Sequence, residues 1–314
     1  MSNFFSLLYN ELFKIYIRKS TWVMYIILGL IAVGGAIIIS SFDDVQPTEY
    51  TDNWKEELQE ENEALHKDNE EFGYSFNDDR IMKNEYLLEN DIRPLNYGAW
   101  QYTLENVGLV AIVSLLTIII GSSIISNEYK WGTIKLLLIR PISRNVILLS
   151  KFIAIFVFGL FTMIYLFLVS MLGGAIFFGF EGFNPSTVIM TANGIEYVPI
   201  VGEVMSEYGY RIVNLIMMTT LAFMISTIFK NSSVAIGVGI FLLMGGNIIT
   251  GIFSEYEWSK YLLFANLDLK MYETGNILID GMTLGFSITM LIVYFVVFVA
   301  LAWLFFNKRD IVNQ

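Results

Sequence analysis

The eighteen residues from Asn127 to Arg144, NEYKWGTIKLLLIRPISR, hold most of the charge in a long apolar part of the chain. Lys130, Lys135, Arg140 and Arg144 are basic, Glu128 is acidic, and one glycine and one proline interrupt the run. Such residues suit charge-assisted hydrogen bonds, to one another or to a partner surface. They do not suit bond-breaking chemistry, and neither does the rest of the chain. The single histidine, His66, rules out an H-E-x-x-H pair and a conventional proteolytic triad is not legible. There is no cysteine, hence no disulfide framework and no thiolate metal site. No G-x-x-x-x-G-K-[ST] loop is present to cradle nucleotide phosphates. The expectation is a chain that is not an enzyme and holds no metal or cofactor of its own.

A second set of polar residues sits inside the apolar runs. Asn214, Thr219, Thr220, Ser226 and Thr227 lie in one, Asn247 and Thr250 in the next. Asn214, Thr219 and Asn247 are candidates for lining a translocation path. Close helix packing and interhelical hydrogen bonds explain the same residue types, as they do the glycine pairs Gly173-Gly174 and Gly245-Gly246. None of the runs contains a carboxylate. Ion-coupled carriers usually keep such groups inside the membrane. Unwound helices with carbonyl ligands leave a sodium carrier open.

The elements that must position these residues follow from hydropathy. The chain has 314 residues, 55% of them hydrophobic, with a mean hydropathy of +0.58. Six segments lack Asp, Glu, Lys and Arg: Thr21 to Phe42, Asn106 to Asn127, Phe152 to Phe180, Ile212 to Phe229, Asn231 to Ser254 and Gly281 to Asn307. Each is near the ~20 residues that cross ~30 Å of hydrocarbon as a helix. The expected fold is an all-α polytopic membrane protein with spans over 21–42, 104–126, 146–179, 211–229, 231–253 and 283–307. Residues 1–20 read as an amphipathic interfacial helix, with Ser6, Asn10, Lys14 and Arg18 every fourth residue and Glu11 beside them. The first run is too long for a signal-peptide core and is read as a retained span.

Net charge is −11, and residues 42–100 hold 17 acids against five bases. The acidity therefore belongs to one excursion, 43–103, expected as an extracellular helical hairpin. Segments holding Lys14, Arg18, Lys19, Lys130, Lys135, Arg140, Arg144, Lys151, Lys230, Lys308 and Arg309 are placed in the cytoplasm, along with both termini. The polar segment 127–145 is then cytoplasmic. Loops 180–210 and 254–282 are extracellular, the second either an ordinary loop or a re-entrant helical pair around YLLFANLDL.

Glu128, Gly132-Thr133, the leucine cluster, Pro141, Ser143-Arg144 and Lys151 resemble the signature of ABC-2 type permeases. The N-terminus, the six spans, the large loop after span one and YLLFANLDLKMY before span six look like peptide-export permeases of the bacitracin-resistance type. That resemblance implies the permease subunit of an ATP-driven exporter in a bacterial-type cell membrane, serving antimicrobial-peptide resistance. It implies a second permease subunit, identical or not, and a separate ABC ATP-binding subunit that carries the ATP and Mg. Segment 127–145 then becomes a coupling segment, with Glu128, Trp131, Gly132, Thr133, Leu137, Arg140, Pro141 and Arg144 facing the ATPase. Amphipathic peptides or lipids are the expected substrates, membrane lipids the surroundings, and nucleic acid is not a partner. Two other classes remain open: an ATPase-independent channel or sodium carrier, and a toxin-binding immunity or sensor membrane protein.

Overall fold

The computed structural model describes residues 2–41, 50–73, 75–134, 142–183, 185–229 and 231–308. Those residues are mostly helical. Helix α1 spans Ser2–Tyr16 and α2 spans Lys19–Ser41; α3 (Trp54–Phe72) and α4 (Asp78–Glu89) form a polar pair. Next come α5 (Ala99–Glu105), α6 (Val110–Ser123), α7 (Ser126–Lys130), α8 (Arg144–Phe177), α9 (Ile200–Ile228), α10 (Ser232–Ile252), α11 (Met271–Thr274) and α12 (Leu284–Lys308). Six helical stretches among the described residues are long and apolar enough to cross a membrane: α2, the run Ala99–Lys130, α8, α9, α10 and α12.

The second and fourth of these are the most buried, and the others wrap around them. Their shared core includes Val113, Leu116 and Ile120 of α6, Leu148, Ile155 and Phe158 of α8, and Leu215 and Phe223 of α9. Small residues let the helices approach closely, as small-residue packing in lipid requires. A Cβ added at Gly174 of α8 would lie 2.8 Å from Ala99 Cα and 3.1 Å from Ala99 O. The same junction is tied by the Ala99 amide donating to Gly179 O at 3.0 Å.

Residue chemistry sets the ends of the elements. Asn231 Oδ1 accepts from the Ser233 amide at 2.9 Å and opens α10. Ser143 Oγ accepts from the Val146 amide at 3.4 Å and opens α8. Gly73, in the left-handed region at φ 67°, closes α3 and turns the chain towards α4. Within that pair, Asn84 Nδ2 donates to Asn62 Oδ1 at 2.9 Å, and Arg80 meets Glu61 at 2.6 Å.

One feature differs from the sequence reading and two add to it. The chain is not wholly helical: β1 (Ser186–Thr191) and β2 (Gly194–Pro199) form an antiparallel hairpin, Ser186 opposite Pro199 and Thr191 opposite Gly194. The two-residue turn Ala192-Asn193 leads into Gly194 at φ 120°, which favours glycine. Second, α9 begins at Ile200 rather than 211, because Glu203 and Glu207 are held by Lys270 and the helix can extend past the uncharged run. Third, the segment 254–282, left open between an ordinary loop and a re-entrant helical pair, has only short helical turns. It folds as 3-10 turns at Glu257–Tyr261 and Phe264–Asn266 followed by α11. Buried Asn266 organises it, donating to Lys260 O and Leu262 O at 2.8 Å each and accepting from Ser287 Oγ at 2.7 Å.

Candidate functional site

The charged residues of greatest interest meet at the end of the bundle where α1, α7 and the start of α8 come together. Helix α1 buries Leu7, Glu11 and Ile15 on one face and exposes Phe5, Tyr9, Phe13 and Ile17, spaced four apart, on another. Its C-terminal end is stitched to α2: Thr21 Oγ1 donates to Ile15 O at 2.6 Å and Trp22 Nε1 to Tyr16 O at 2.8 Å. The second span breaks between α6 and α7. There Ser226 Oγ of α9 accepts from the Ile125 and Ser126 amides at 3.0 and 3.3 Å. A side-chain oxygen inserted this way satisfies donors that a helix break would strand. Helix α7, beyond the break, carries Glu128.

Glu128 does not face outward. It is 7% exposed and sits with Glu11 (4%) and Lys151 (1%) in a buried cluster. Lys151 Nζ donates to Glu11 Oε2 at 2.7 Å and to Glu128 Oε1 at 3.0 Å. Lys14 Nζ donates to Glu11 Oε1 at 2.9 Å and to Glu128 Oε1 at 3.0 Å. Two acids and two bases thus alternate, each bonded to both opposites, with no net charge. Thr133 Oγ1 adds a hydrogen bond to Glu128 Oε2. Burying one such charge alone would cost several kcal/mol, and only saturation by partners offsets it. Burial alone would lower the Lys14 pKa, but Glu11 and Glu128 outweigh it and raise it above the usual lysine value, so Lys14 stays protonated.

Beside the cluster lies a cavity of about 390 Å³, bounded by Ile15, Arg18, Ile124, Glu128, Trp131 and Thr133 among others. Its mouth carries exposed Trp131, with the Arg18 guanidinium 5.7 Å from the indole centre. Gly132 follows at φ 70°, and nothing lies within 4 Å of the place a Cβ would occupy. The positive φ favours glycine here whatever the surrounding space.

The other sequence candidates divide. Arg144 donates through Nη1 to Asn307 O at 3.2 Å, joining α8 to the end of α12. Leu137, Arg140 and Pro141 lie outside the described residues, so the pairing of Glu128 with Arg140 does too; among the described residues Glu128 is bonded to Lys14, Lys151 and Thr133. Thr219 is fully buried and its Oγ1 has no hydrogen-bond partner among the described residues. Asn214 is half-buried and Asn247 exposed, and no hydrogen bond joins the three. Sequence reasoning missed the role of Glu11, Lys14 and Lys151 as partners of Glu128. The available signal was a lone acid next to the polar stripe of an N-terminal helix and a lysine one or two turns inside an apolar one. No group of three or more His, Asp or Glu that could hold a metal occurs among the described residues.

Six long apolar helices around an apolar core define a multi-pass α-helical membrane protein. The chain belongs to the family described as protein of unknown function DUF2705, whose model matches residues 70–312. It is 41% identical to the uncharacterized protein YhcI of Bacillus subtilis (strain 168) over 317 aligned residues, covering 98% of this chain and 99% of that one. It is 31% identical to the uncharacterized membrane protein YdbK of the same organism over 235 residues, covering 74% of this chain and 88% of that one.

Proposed function

We propose that this chain is the membrane subunit of an ATP-driven exporter of ABC-2 type, with ATP and Mg held by a separate ATPase. The observation that carries the reading is the neutral four-charge cluster beside Trp131 and Gly132. It binds α1, α7 and α8 into one unit at the mouth of segment 127–145. A push on that segment by a partner would reach two spans and the N-terminal helix together, because buried charges cannot separate without leaving one another unpaired. The ATPase would shift the spans between two states only through different affinities for the two. Exposed Trp131 and Arg18 form the docking surface in this reading, whereas Glu128 is a positioning residue behind it.

The remaining details of the reading follow the charge distribution. The end bearing the cluster is cytoplasmic, since the basic short segments gather there. Helix α1 lies in the headgroup region with Phe5, Tyr9, Phe13 and Ile17 towards lipid. The pair α3–α4 is extracellular. Two such subunits pair around the substrate path, and amphipathic or antimicrobial peptides or lipids are the cargo. The test is co-purification with a Walker A protein encoded beside this chain. Arg18→Ala with Trp131→Ala should reduce the retained ATPase at least tenfold while helix content and melting stay unchanged. Full retention by the double variant, or no ATPase bound to the wild type, would sink the proposal.

A further inference from the structure

The opposite end of the bundle holds a second charged cavity that the coupling reading does not use. It measures about 480 Å³ and lies between α4, β1, α9 and the segment around α11. This is within the ~300–1,000 Å³ of small-ligand sites. Glu203, Glu207 and Arg211 enter it from one face of α9, four residues apart, as helical spacing requires. Asp79 and Lys83 enter from α4, and Lys270 from the far wall. The wall thus has three acids and three bases, so a ligand of one sign meets as much repulsion as attraction.

The pairing within the cavity is uneven. Lys270 is saturated: it meets Glu203 at 2.7 Å, Glu273 at 3.3 Å and Glu207 at 3.8 Å. Arg211 reaches Glu207 only at 3.9 Å, and its Nε is buried without a hydrogen-bond partner. Asp79 and Lys83 form no ion pair with each other or with any other described residue. Donors on Arg211 and Lys83 and acceptors on Glu207 and Asp79 are therefore left for something else. An orphaned guanidinium donor inside a cavity calls for an anion, and Arg geometry matches phosphate. Glu207, whose two ion pairs are 3.8 and 3.9 Å long, and exposed Asp79, with no ion pair among the described residues, keep acceptor capacity that suits an ammonium with its own donors. No Phe, Tyr or Trp lines the cavity. A quaternary ammonium, which lacks donors and is recognised by aromatic faces, is therefore disfavoured.

The level of the cavity in the fold narrows the source. Its floor is formed by Arg211 on α9 and by Val107 and Gly108 after α5. The uncharged runs of spans four and two begin at Ile212 and Asn106, immediately at this floor. A site at that height lies where the polar layer of a bilayer meets the hydrocarbon. Leu104, Val107, Val188 and Met190 supply an apolar wall next to the charges.

We propose that this cavity binds a phosphate ester carrying a primary ammonium, phosphoethanolamine chemistry, with Arg211 and Lys83 on the phosphate and Glu207 and Asp79 on the ammonium. The inference stands on the cavity and the membrane fold and does not depend on an ATPase.

The experiment uses the full-length protein in detergent and in nanodiscs. Calorimetric titration compares glycerophosphoethanolamine with glycerophosphocholine, inorganic phosphate and ethanolamine. Native mass spectrometry then compares protein from discs of phosphatidylethanolamine and of phosphatidylcholine. Saturable binding of glycerophosphoethanolamine, at least tenfold tighter than the other three, is expected. Lys83→Gln, on half-buried α4, should weaken it at least fivefold without changing the melting temperature, and Arg211→Gln should weaken it more. Retention of the diacyl lipid without binding of the soluble headgroup would also support the site and assign its source to the bilayer; binding of the soluble headgroup without lipid retention assigns it to free solute. Equal binding of the choline and ethanolamine compounds, equal binding of inorganic phosphate, or undiminished binding by both variants would each overturn the proposal. So would the absence of saturable binding by any probe and of lipid retention.

Discussion

Replacing Lys151 by Met separates packing from charge at the cluster. Methionine is unbranched and adaptable, so it fills the space left by the lysine stem with little strain. What changes is that Glu11 and Glu128 lose hydrogen bonds of 2.7 and 3.0 Å to a cation that is 1% exposed. Removing one partner of a buried ion pair costs ~3–5 kcal/mol. Lys14 still bridges both carboxylates, at 2.9 and 3.0 Å, but it is half-exposed and partly screened. The lower end of the range applies, about 3 kcal/mol. With ~2.1 cal/mol/K of unfolding entropy per residue over 314 residues, that is a fall in Tm of about 4–5 °C. Melting of the purified protein in detergent, followed by tryptophan fluorescence, reads it directly. The triple variant Lys151→Met, Glu11→Gln, Glu128→Gln removes the two buried stranded carboxylates and leaves only Lys14, which is half-exposed and solvated; it should recover more than half of the loss, because uncharged replacements of a buried cluster are often near neutral. A Lys151→Met variant as stable as wild type would refute the claim that these charges depend on one another. A triple variant no better than the single would show that the loss was one of packing.

Other consequences reach the rest of the molecule. Gly174→Val should destabilise by about 1–3 kcal/mol through overpacking, since even a Cβ would stand 2.8 Å from Ala99 Cα; an unchanged Tm would contradict the close approach of α5 and α8. Burial alone would lower the Lys270 pKa, but Glu203 first, then Glu273 and Glu207, raise it above the ordinary 10.5. A raised lysine contributes stability that is fully present below 10.5 and is lost as pH climbs through the folded value. Wild type should therefore lose more Tm than Lys270→Met between pH 10 and 12, and parallel curves would remove Lys270 as the cause. For orientation, the cysteine-free chain takes single cysteines at exposed Ser75 and Lys130. An impermeant thiol reagent on intact cells should label position 75 and spare 130, and the reverse pattern would invert the proposed topology.

Six uncharged runs were enough to read six spans, because length and the absence of charge are strong constraints in hydrocarbon. They did not show that the helix carrying span four begins eleven residues before 211, at Ile200. Glu203, Glu207 and Arg211 look like loop residues until Lys270, more than fifty residues away, is known to neutralise two of them. The hairpin at 186–199 was legible in part: Asn193-Gly194 flanked by Thr, Val, Ile and Tyr is a strand-turn-strand signal. It was masked by the surrounding helical context. Glu128 stood out in the sequence, but its partners did not. A carboxylate at the end of a span can face a partner or the protein's own lysines, and here it is hydrogen-bonded to Lys14 and Lys151. Contacts of this kind, 23 and 140 residues apart for Lys151, leave no local pattern in the chain.

The central claim is that an ATPase drives this chain through the surface beside the charge cluster. The most direct measurement is uptake of a labelled basic amphipathic peptide by inside-out vesicles that hold this protein together with the ATPase that co-purifies with it. ATP should accelerate uptake at least tenfold over a non-hydrolysable analogue, and the Arg18→Ala, Trp131→Ala pair should abolish the acceleration while the variant chain itself stays in the membrane at wild-type level. Uptake that proceeds equally without ATP or without the ATPase would contradict the account.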